Sequence, residues 1–357
     1  MHVLINALHN TTGAGIAYLN KVIPTLAKQG WQVTLLCQEH VQDKILAPDT
    51  FTIRTVKPMG FWYSHVYEQL LLPFFSRKWK VDATWCNANY VPLLGKRPIL
   101  TIHNNPQVGR QSQSLKVKIY WLVLKILTYL SYLRCRKIVT VANYLLPMYG
   151  IKEGLKNILA APGADAIVVK DQPRDPNLIV AVGDVYIQKN YPLLIEALAQ
   201  LKKDTPTIKL KMIGRVVDET EGQRIKQLVK KYKLEDSVEL PEPLPHDETL
   251  QWVAQAKIAA VPSTVESYSM VVIEAMGCGT PVVAADVPCQ REVAGNAAVF
   301  VPLTGENDAA AYGMALYCLL TDDKAWEIFH TRGKQQVSRH TWQKTGDAIV
   351  EAIKSSF

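Results

Sequence analysis

Two glutamates, Glu266 and Glu274, stand eight positions apart in the run Glu266-Ser-Tyr-Ser-Met-Val-Val-Ile-Glu274. A buried-strand pattern, Ile258-Ala-Ala-Val-Pro262, comes first, followed by the polar turn Ser263-Thr-Val. The spacing predicts a helix from near Ser269 to the Gly277/Gly279 pair, then a strand over Pro281-Val-Val-Ala284. Glu266 thus falls in a polar loop before a helix N-terminus, and Glu274 in the helix's second turn. A helix start offers unpaired N–H groups and positive dipole to an anion. Carboxylates on either side can accept hydrogen bonds from hydroxyls flanking that anion. Phosphate with a sugar hydroxyl at each end describes a nucleotide sugar.

Other residues could take part in the same chemistry. Lys189 opens a helical pattern after the strand-like Ile179-Val-Ala-Val-Gly183, and Arg215 ends the next strand in Ile213-Gly-Arg215. Both are cations suited to a diphosphate, whereas Asp184 would be repelled by one unless it bonds a hydroxyl or a cation. His103 ends the strand pattern Pro98-Ile-Leu-Thr-Ile-His, at the carboxyl edge where open α/β sheets bind ligands. Gly13-Ala-Gly15 follows the first strand and opens a helix, but Tyr18 stands at the third glycine position of a dinucleotide fingerprint. Gly15 lets the backbone come close to a ligand or neighbour. The remaining histidines show no metal-like spacing, and no Asp-x-Asp occurs.

The order Pro-Ser, Glu266, seven residues, Glu274-Ala-Met, then Cys278-Gly-Thr-Pro-Val-Val resembles the donor-site signature of retaining GT-B glycosyltransferases of family four. That family includes bacterial mannosyltransferases and sucrose synthases. The resemblance implies that Glu274 accepts hydrogen bonds from the nucleotide ribose and that Glu266 holds hydroxyls of the donor sugar. It places Lys189, the backbone of Ser267, Tyr268, Ser269 and Met270, and the loop of Gly13 and Gly15 near the donor. The usual Gly-Phe-Gly after the first Glu is here Ser267-Tyr-Ser269, and the usual Arg after Gly183 is Asp184, with Arg215 as a candidate substitute. His103 resembles the family's strand-end histidine, which meets the transferred sugar or departing phosphate. Tyr67-Glu-Gln-Leu-Leu-Leu-Pro73 and Asn89-Tyr-Val-Pro92 look like paired elements of bacterial mannosyl- and rhamnosyltransferases, and Pro162-Gly-Ala-Asp165 like the element closing the family's first domain. The implied activity is metal-independent transfer, without a cofactor, of a hexose-type sugar from a nucleotide diphosphate donor to a glycan or polyprenyl-linked acceptor. Cell-surface polysaccharide or lipopolysaccharide assembly is the implied setting. A nucleic-acid-modifying glycosyltransferase and a non-catalytic binding module are the alternatives; aromatic and basic residues gathered in one helix count against nucleic acid.

These residues need elements to hold them. Apolar runs alternate with helix-length segments in both halves of the 357 residues, the pattern of two Rossmann-like, doubly wound parallel-sheet α/β domains facing a cleft. The expected divisions are a first, acceptor-side domain at 1–164, a linker at 165–176, a nucleotide-sugar domain at 177–340, and a C-terminal helix at 341–357 that packs back on the first domain. Six scattered cysteines without a Cys-x-x-Cys pair suggest reduced thiols, hence a cytoplasmic protein. Met1 leads straight into a strand pattern, so no signal peptide is expected ahead of it.

The net charge of +8 is unevenly placed: no acidic residue lies between Asp82 and Glu153, a stretch with ten basic ones. Such a face attracts an anionic partner. Within it, a helix over 115–136 places Lys118, Lys125 and Arg136 within about 20° of one another, with Trp121 among the leucines. It reads either as a buried helix with one wet stripe or as a patch lying on an anionic membrane, with these four residues on the acceptor or membrane face. The second reading implies peripheral attachment at the inner face of the plasma membrane.

Overall fold

A computed structural model describes residues 1–11, 13–108, 115–164 and 173–357. They form two compact units, Met1–Gly163 with Trp342–Phe357, and Ala164–Thr341. In the first unit, β1 (His2–Asn6), β2 (Gln32–Gln38), β3 (Phe51–Val56), β4 (Ala83–Cys86), β5 (Pro98–Ile102), β6 (Lys137–Thr140) and β7 (Asn157–Leu159) build one sheet. Its order is β3-β2-β1-β4-β5-β6-β7, with every pairing parallel. Strands β1 and β5 are buried along their whole length, as their near-continuous apolar runs require of strands covered on both faces. Helices α1 (Gly13–Ala27), α2 (Phe61–Val66), α3 (Leu72–Lys78), α4 (Leu115–Arg134) and α5 (Leu145–Met148) connect them.

Two details depart from the sequence pattern. The sequence predicts a single helix over 63–78, whereas in the structure a π turn, Tyr67–Leu71, with Glu68 fully buried, interrupts it. Helix α4 is not a buried helix with one wet stripe: only Leu124, Thr128 and Ser131 are buried, while Leu115, Leu122, Ile126 and Leu133 are more than half exposed. The helix also ends at Arg134, so the angular argument fails for Arg136, an exposed residue between α4 and β6.

The terminal helix Trp342–Lys354 packs within the first unit. Thr345 donates to the Ala161 carbonyl at 2.6 Å, Trp342 meets Tyr18 edge to face, and Gly346 lies against Thr25, where a Cβ would come within 2.6 Å.

The second unit carries β8 (Asp175–Val182), β9 (Lys209–Ile213), β10 (Val238–Glu242), β11 (Ala256–Val261), β12 (Val282–Ala285) and β13 (Ala298–Val301), again all parallel, in the order β10-β9-β8-β11-β12-β13. Its helices are α6 (Tyr191–Leu201), α7 (Glu219–Lys231), α8 (His246–Gln255), α9 (Met270–Gly277), α10 (Pro288–Ala294), α11 (Asp308–Thr321) and α12 (Asp323–Val337). Of the expected linker, 165–172 lie outside the described residues, as does Arg110 of the basic stretch. Ala164 and Thr341, where the chain passes between units, pair as an isolated parallel bridge.

Candidate active site

In an open α/β sheet the ligand crevice opens at the carboxyl ends of the strands, where the strand order reverses. In the second unit that point lies between β8 and β11. The chain leaves β8 through Gly183, whose φ of 138° suits glycine, and turns through Ile187–Lys189 into α6. A Cβ on Gly183 would stand 2.9 Å from both Cε and Nζ of Lys189, so the glycine makes room for that amine. From β11 the chain enters the loop holding Glu266, tied to the Lys189 turn by Thr264 N–H donating to the Gln188 carbonyl at 2.9 Å. Lys189 Nζ meets Glu266 Oε1 at 2.8 Å across the crevice, each side chain 16% exposed. Burial lowers the Lys189 pKa, but the Glu266 carboxylate, with Tyr191 and Asp184, outweighs it and raises the value, keeping the amine charged.

Asp184 accepts from Arg215 N at 2.9 Å, from Nε at 3.2 Å and from Nη2 at 2.5 Å. Those hydrogen bonds hold its carboxyl below the usual aspartate range, against some opposing burial. The aspartate that replaces the family's arginine is therefore matched by the next strand's arginine, and Arg215 remains largely exposed.

Helix α9 begins at Met270, beside Glu266, and Glu274 lies in its second turn, mostly shielded from solvent. Tyr268 does not crowd the helix start. Its ring is buried and its hydroxyl hydrogen-bonds His340 Nδ1 at 2.7 Å. Ser269, with φ near 0°, is buried, and its Oγ has no partner among the described residues. Ser267, just ahead of them, is half-buried. His246, at the start of α8, approaches Glu274 Oε1 at 3.8 Å. Nothing in its sequence surroundings signalled that approach.

In the first unit His103 follows β5. Its Nε2 bonds Asn87 Oδ1 at 2.6 Å, its N–H donates to Asn89 Oδ1 at 2.9 Å, and Tyr18 packs edge-on at 4.7 Å. Burial lowers its pKa to about 4, so the imidazole is neutral at physiological pH. Gly13 opens α1, and Gly15 sits where a Cβ would come within 2.8 Å of the Asn10 amide. Lys118, Trp121 and Lys125 come together, with Pro106, Gln107 and Leu122, around an open depression of about 650 Å³; Arg136 is not part of it. Among the described residues, no group of three or more His, Cys, Asp or Glu is placed to hold a metal ion, and no helix is long and apolar enough to cross a membrane.

A family model described as glycosyl transferases group 1 matches residues 164–336. The D-inositol 3-phosphate glycosyltransferase of Thermobifida fusca is 27% identical over 190 residues, 52% of this chain and 44% of that protein. Its counterpart in Frankia alni is 33% identical over 153 residues, 41% of this chain and 37% of that one. The matches therefore span less than half the length of these curated relatives. Over nearly the whole chain, the fold resembles sucrose-phosphate synthase from Thermosynechococcus elongatus, with TM-score 0.75, 19% identity and 98% of both chains covered. It also resembles Anabaena HepE solved with UDP and glucose, with TM-score 0.74, 16% identity and 99% of both chains covered. WaaG, a glycosyltransferase of lipopolysaccharide biosynthesis, superposes with TM-score 0.71 at 14% identity over 99% of both chains. The second unit thus carries a stretch similar to the glycosyl transferases group 1 family, and the two parallel-sheet units have the GT-B fold.

Proposed function

We propose that the protein is a retaining glycosyltransferase that moves a hexose-type sugar from a nucleotide diphosphate sugar to a hydroxyl of a glycan or lipid-linked acceptor. The observation that carries this is the Lys189–Glu266 pair spanning the β8/β11 crevice beside the N-terminus of α9, with Glu274 one turn further on. In this reading Lys189, Arg215 and the α9 N-terminus neutralise the diphosphate without a metal. Glu274 accepts from ribose hydroxyls, and Glu266 from hydroxyls of the transferred sugar. The anomeric carbon–phosphate oxygen bond breaks while the acceptor oxygen bonds the same face. The departing phosphate oxygen takes the acceptor's proton. His103, neutral and fixed by Asn87 and Asn89, hydrogen-bonds the sugar or phosphate. The experiment is a panel of UDP- and GDP-sugars scored for nucleoside diphosphate release; binding without release from any donor favours a non-catalytic module.

The acceptor reading extends to cell-surface polysaccharide or lipopolysaccharide assembly at an anionic membrane. Its support is the exposed apolar surface of α4, flanked by Lys118 and Lys125 in a stretch with no acidic residue. Trp62, Tyr63, Leu70 and Phe74, all more than 60% exposed, extend that surface. The two parts are joined through Gln69, which donates to Val91 O at 3.0 Å, and Val91 N–H, which donates to Ser131 Oγ at 3.0 Å. Apolar side chains entering a headgroup layer, with lysines on anionic lipid, suit this surface.

A further inference from the structure

Between β11, which ends at Val261, and α9, which starts at Met270, residues 262–269 run without helix or strand, and Glu266 stands among them. Irregular backbone keeps one shape only where neighbouring groups take up its polar atoms. Thr264 ties this loop to the Lys189 turn. Further ties come from α10 and from residues at and beyond the end of α12, none of which stands in the donor-site signature.

At the loop's start, Gln290 of α10 donates through Nε2 to the carbonyls of Val261 and Ser263, both at 3.3 Å. Its side chain is completely buried, and its Oε1 has no partner among the described residues. Two long hydrogen bonds from one nitrogen add little net stability when the same side chain buries an unmet carbonyl. An apolar side chain of similar size would fill the space without that penalty. The glutamine is accounted for by what its nitrogen holds, the chain three residues before Glu266.

At the loop's end stands Tyr268, two residues past Glu266 and two before Met270. Its hydroxyl meets His340 Nδ1 at 2.7 Å. The backbone of His340 is itself fixed: its N–H donates to Val337 O at 2.9 Å, and its carbonyl accepts from Ala164 N–H at 3.1 Å. Gln336, in the last turn of α12, sets the imidazole's hydrogen. Its Nε2 donates to Val293 O at 2.8 Å and stands 3.3 Å from His340 Nε2. An amide nitrogen carries two hydrogens and accepts nothing, so the second one points at His340 Nε2, which accepts. The imidazole hydrogen is therefore on Nδ1 and is donated to Tyr268 Oη. Val293, like Gln290, belongs to α10, so one short helix supports both ends of the loop.

Beyond its first turn, α9 is held differently, by burial of Val272, Ile273, Ala275 and Met276. That packing fixes Glu274 however the loop lies. Glu266 and the first N–H groups of α9 depend on the loop.

We propose that Gln290 and His340 are positioning residues for the donor loop: α10 holds its first residues through Gln290 and its last through Gln336, His340 and Tyr268, so that Glu266 and the α9 N-terminus meet the sugar diphosphate in a fixed geometry. The proposal rests on reading the second unit as the donor side.

The test titrates the full chain by calorimetry with UDP and GDP, and with uridine and guanosine, beside a melting curve. Gln290→Met, His340→Leu and Tyr268→Phe should each weaken diphosphate binding about fivefold, the effect of one net hydrogen bond, and leave nucleoside binding unchanged. Gln290→Met should melt close to wild type. His340→Leu combined with Tyr268→Phe should be no worse than either alone, because both break the same tie. His340→Asn, whose amide nitrogen takes the place of Nδ1, should restore binding, whereas His340→Gln, whose amide nitrogen takes the place of Nε2, should not. In nitrogen NMR the His340 signal, identified by its absence in His340→Asn, should show the hydrogen on Nδ1. Diphosphate affinity unchanged in all three single variants overturns the proposal, as does a His340 hydrogen found on Nε2. Equal losses for diphosphates and nucleosides that track a lowered melting temperature, with no rescue by Asn, make the ties merely structural and overturn it too. A wild-type chain that binds diphosphates no better than nucleosides removes the donor reading, and the proposal with it.

Discussion

Replacing Lys189 by Met removes the cation from the β8/β11 crevice, and its two effects can be separated. The amine sits 2.8 Å from Glu266 with both side chains 16% exposed, so the pair is neither fully buried nor freely solvated. A hydrogen bond from a charged donor contributes about 1.5–3 kcal/mol, so the diphosphate should bind roughly one to two decades more weakly. Glu266 is meanwhile left without its counter-charge. Stranding one partner of a fully buried pair costs about 3–5 kcal/mol, and the residual exposure here reduces that to about 1–3 kcal/mol of folding stability. Adding Glu266→Gln to Lys189→Met should restore much of the stability but none of the diphosphate affinity. Calorimetry with UDP and GDP, set against uridine and guanosine, supplies the readout, with a melting curve beside it. The loss should appear for diphosphates and vanish for nucleosides. Diphosphate affinity within twofold of wild type, or an equal loss for nucleosides, refutes the placement of phosphate at Lys189.

Glu274→Gln should weaken nucleoside and nucleotide alike by about 1.5–3 kcal/mol, because ribose hydroxyls lose a charged acceptor; unchanged uridine and guanosine affinity in calorimetry removes Glu274 from the site. His103, with a pKa of about 4 against an ordinary histidine value near 6.5, stays neutral in the folded chain while the unfolded chain takes up a proton. Its contribution is therefore complete above about pH 6.5 and falls by up to about 3 kcal/mol as the pH drops to about 4. In pH-dependent melting, His103→Gln should flatten that part of the acid limb, and an unaltered limb contradicts the burial argument. Lys118→Gln with Lys125→Gln should lower binding to anionic vesicles by about 1 kcal/mol per residue, and high salt should mimic the change. Leu122→Glu should act in the same direction, and co-sedimentation unchanged in every variant sinks the membrane reading.

The sequence carried the parts of the fold that rest on period and punctuation. Long apolar runs such as Ile179-Val-Ala-Val and Pro281-Val-Val-Ala marked buried parallel strands, and Gly277/Gly279 marked the end of α9. Glu266 and Lys189 could be singled out together because the family resemblance places both near a donor. Their meeting could not be read, because it depends on β8 and β11 being neighbours, and 77 residues separate the two side chains. The partnership of Asp184 with Arg215 was hidden for the same reason, so the aspartate looked like an anion facing a phosphate. Helix α4 stayed open to two readings in the sequence because apolar composition resembles a core helix until its neighbours are known, and its exposure removes the buried one. Glu68, His9 and Tyr90 gave no periodic signal. Yet His9 Nε2 meets both Glu68 Oε2 and the Tyr90 hydroxyl, contacts that arise from a π turn and a strand-order reversal, neither of which has a composition.

The most direct measurement of the central claim is nucleoside diphosphate release from a panel of UDP- and GDP-sugars, run in excess EDTA, with Glu266→Ala in parallel and the anomeric configuration of the released or transferred sugar followed by NMR. The account predicts that one donor is turned over in the presence of chelator, with retained configuration, and that Glu266→Ala abolishes turnover while Lys189→Met severely impairs it. Inverted product, strict dependence on added magnesium or manganese, or turnover undiminished in Glu266→Ala would contradict it.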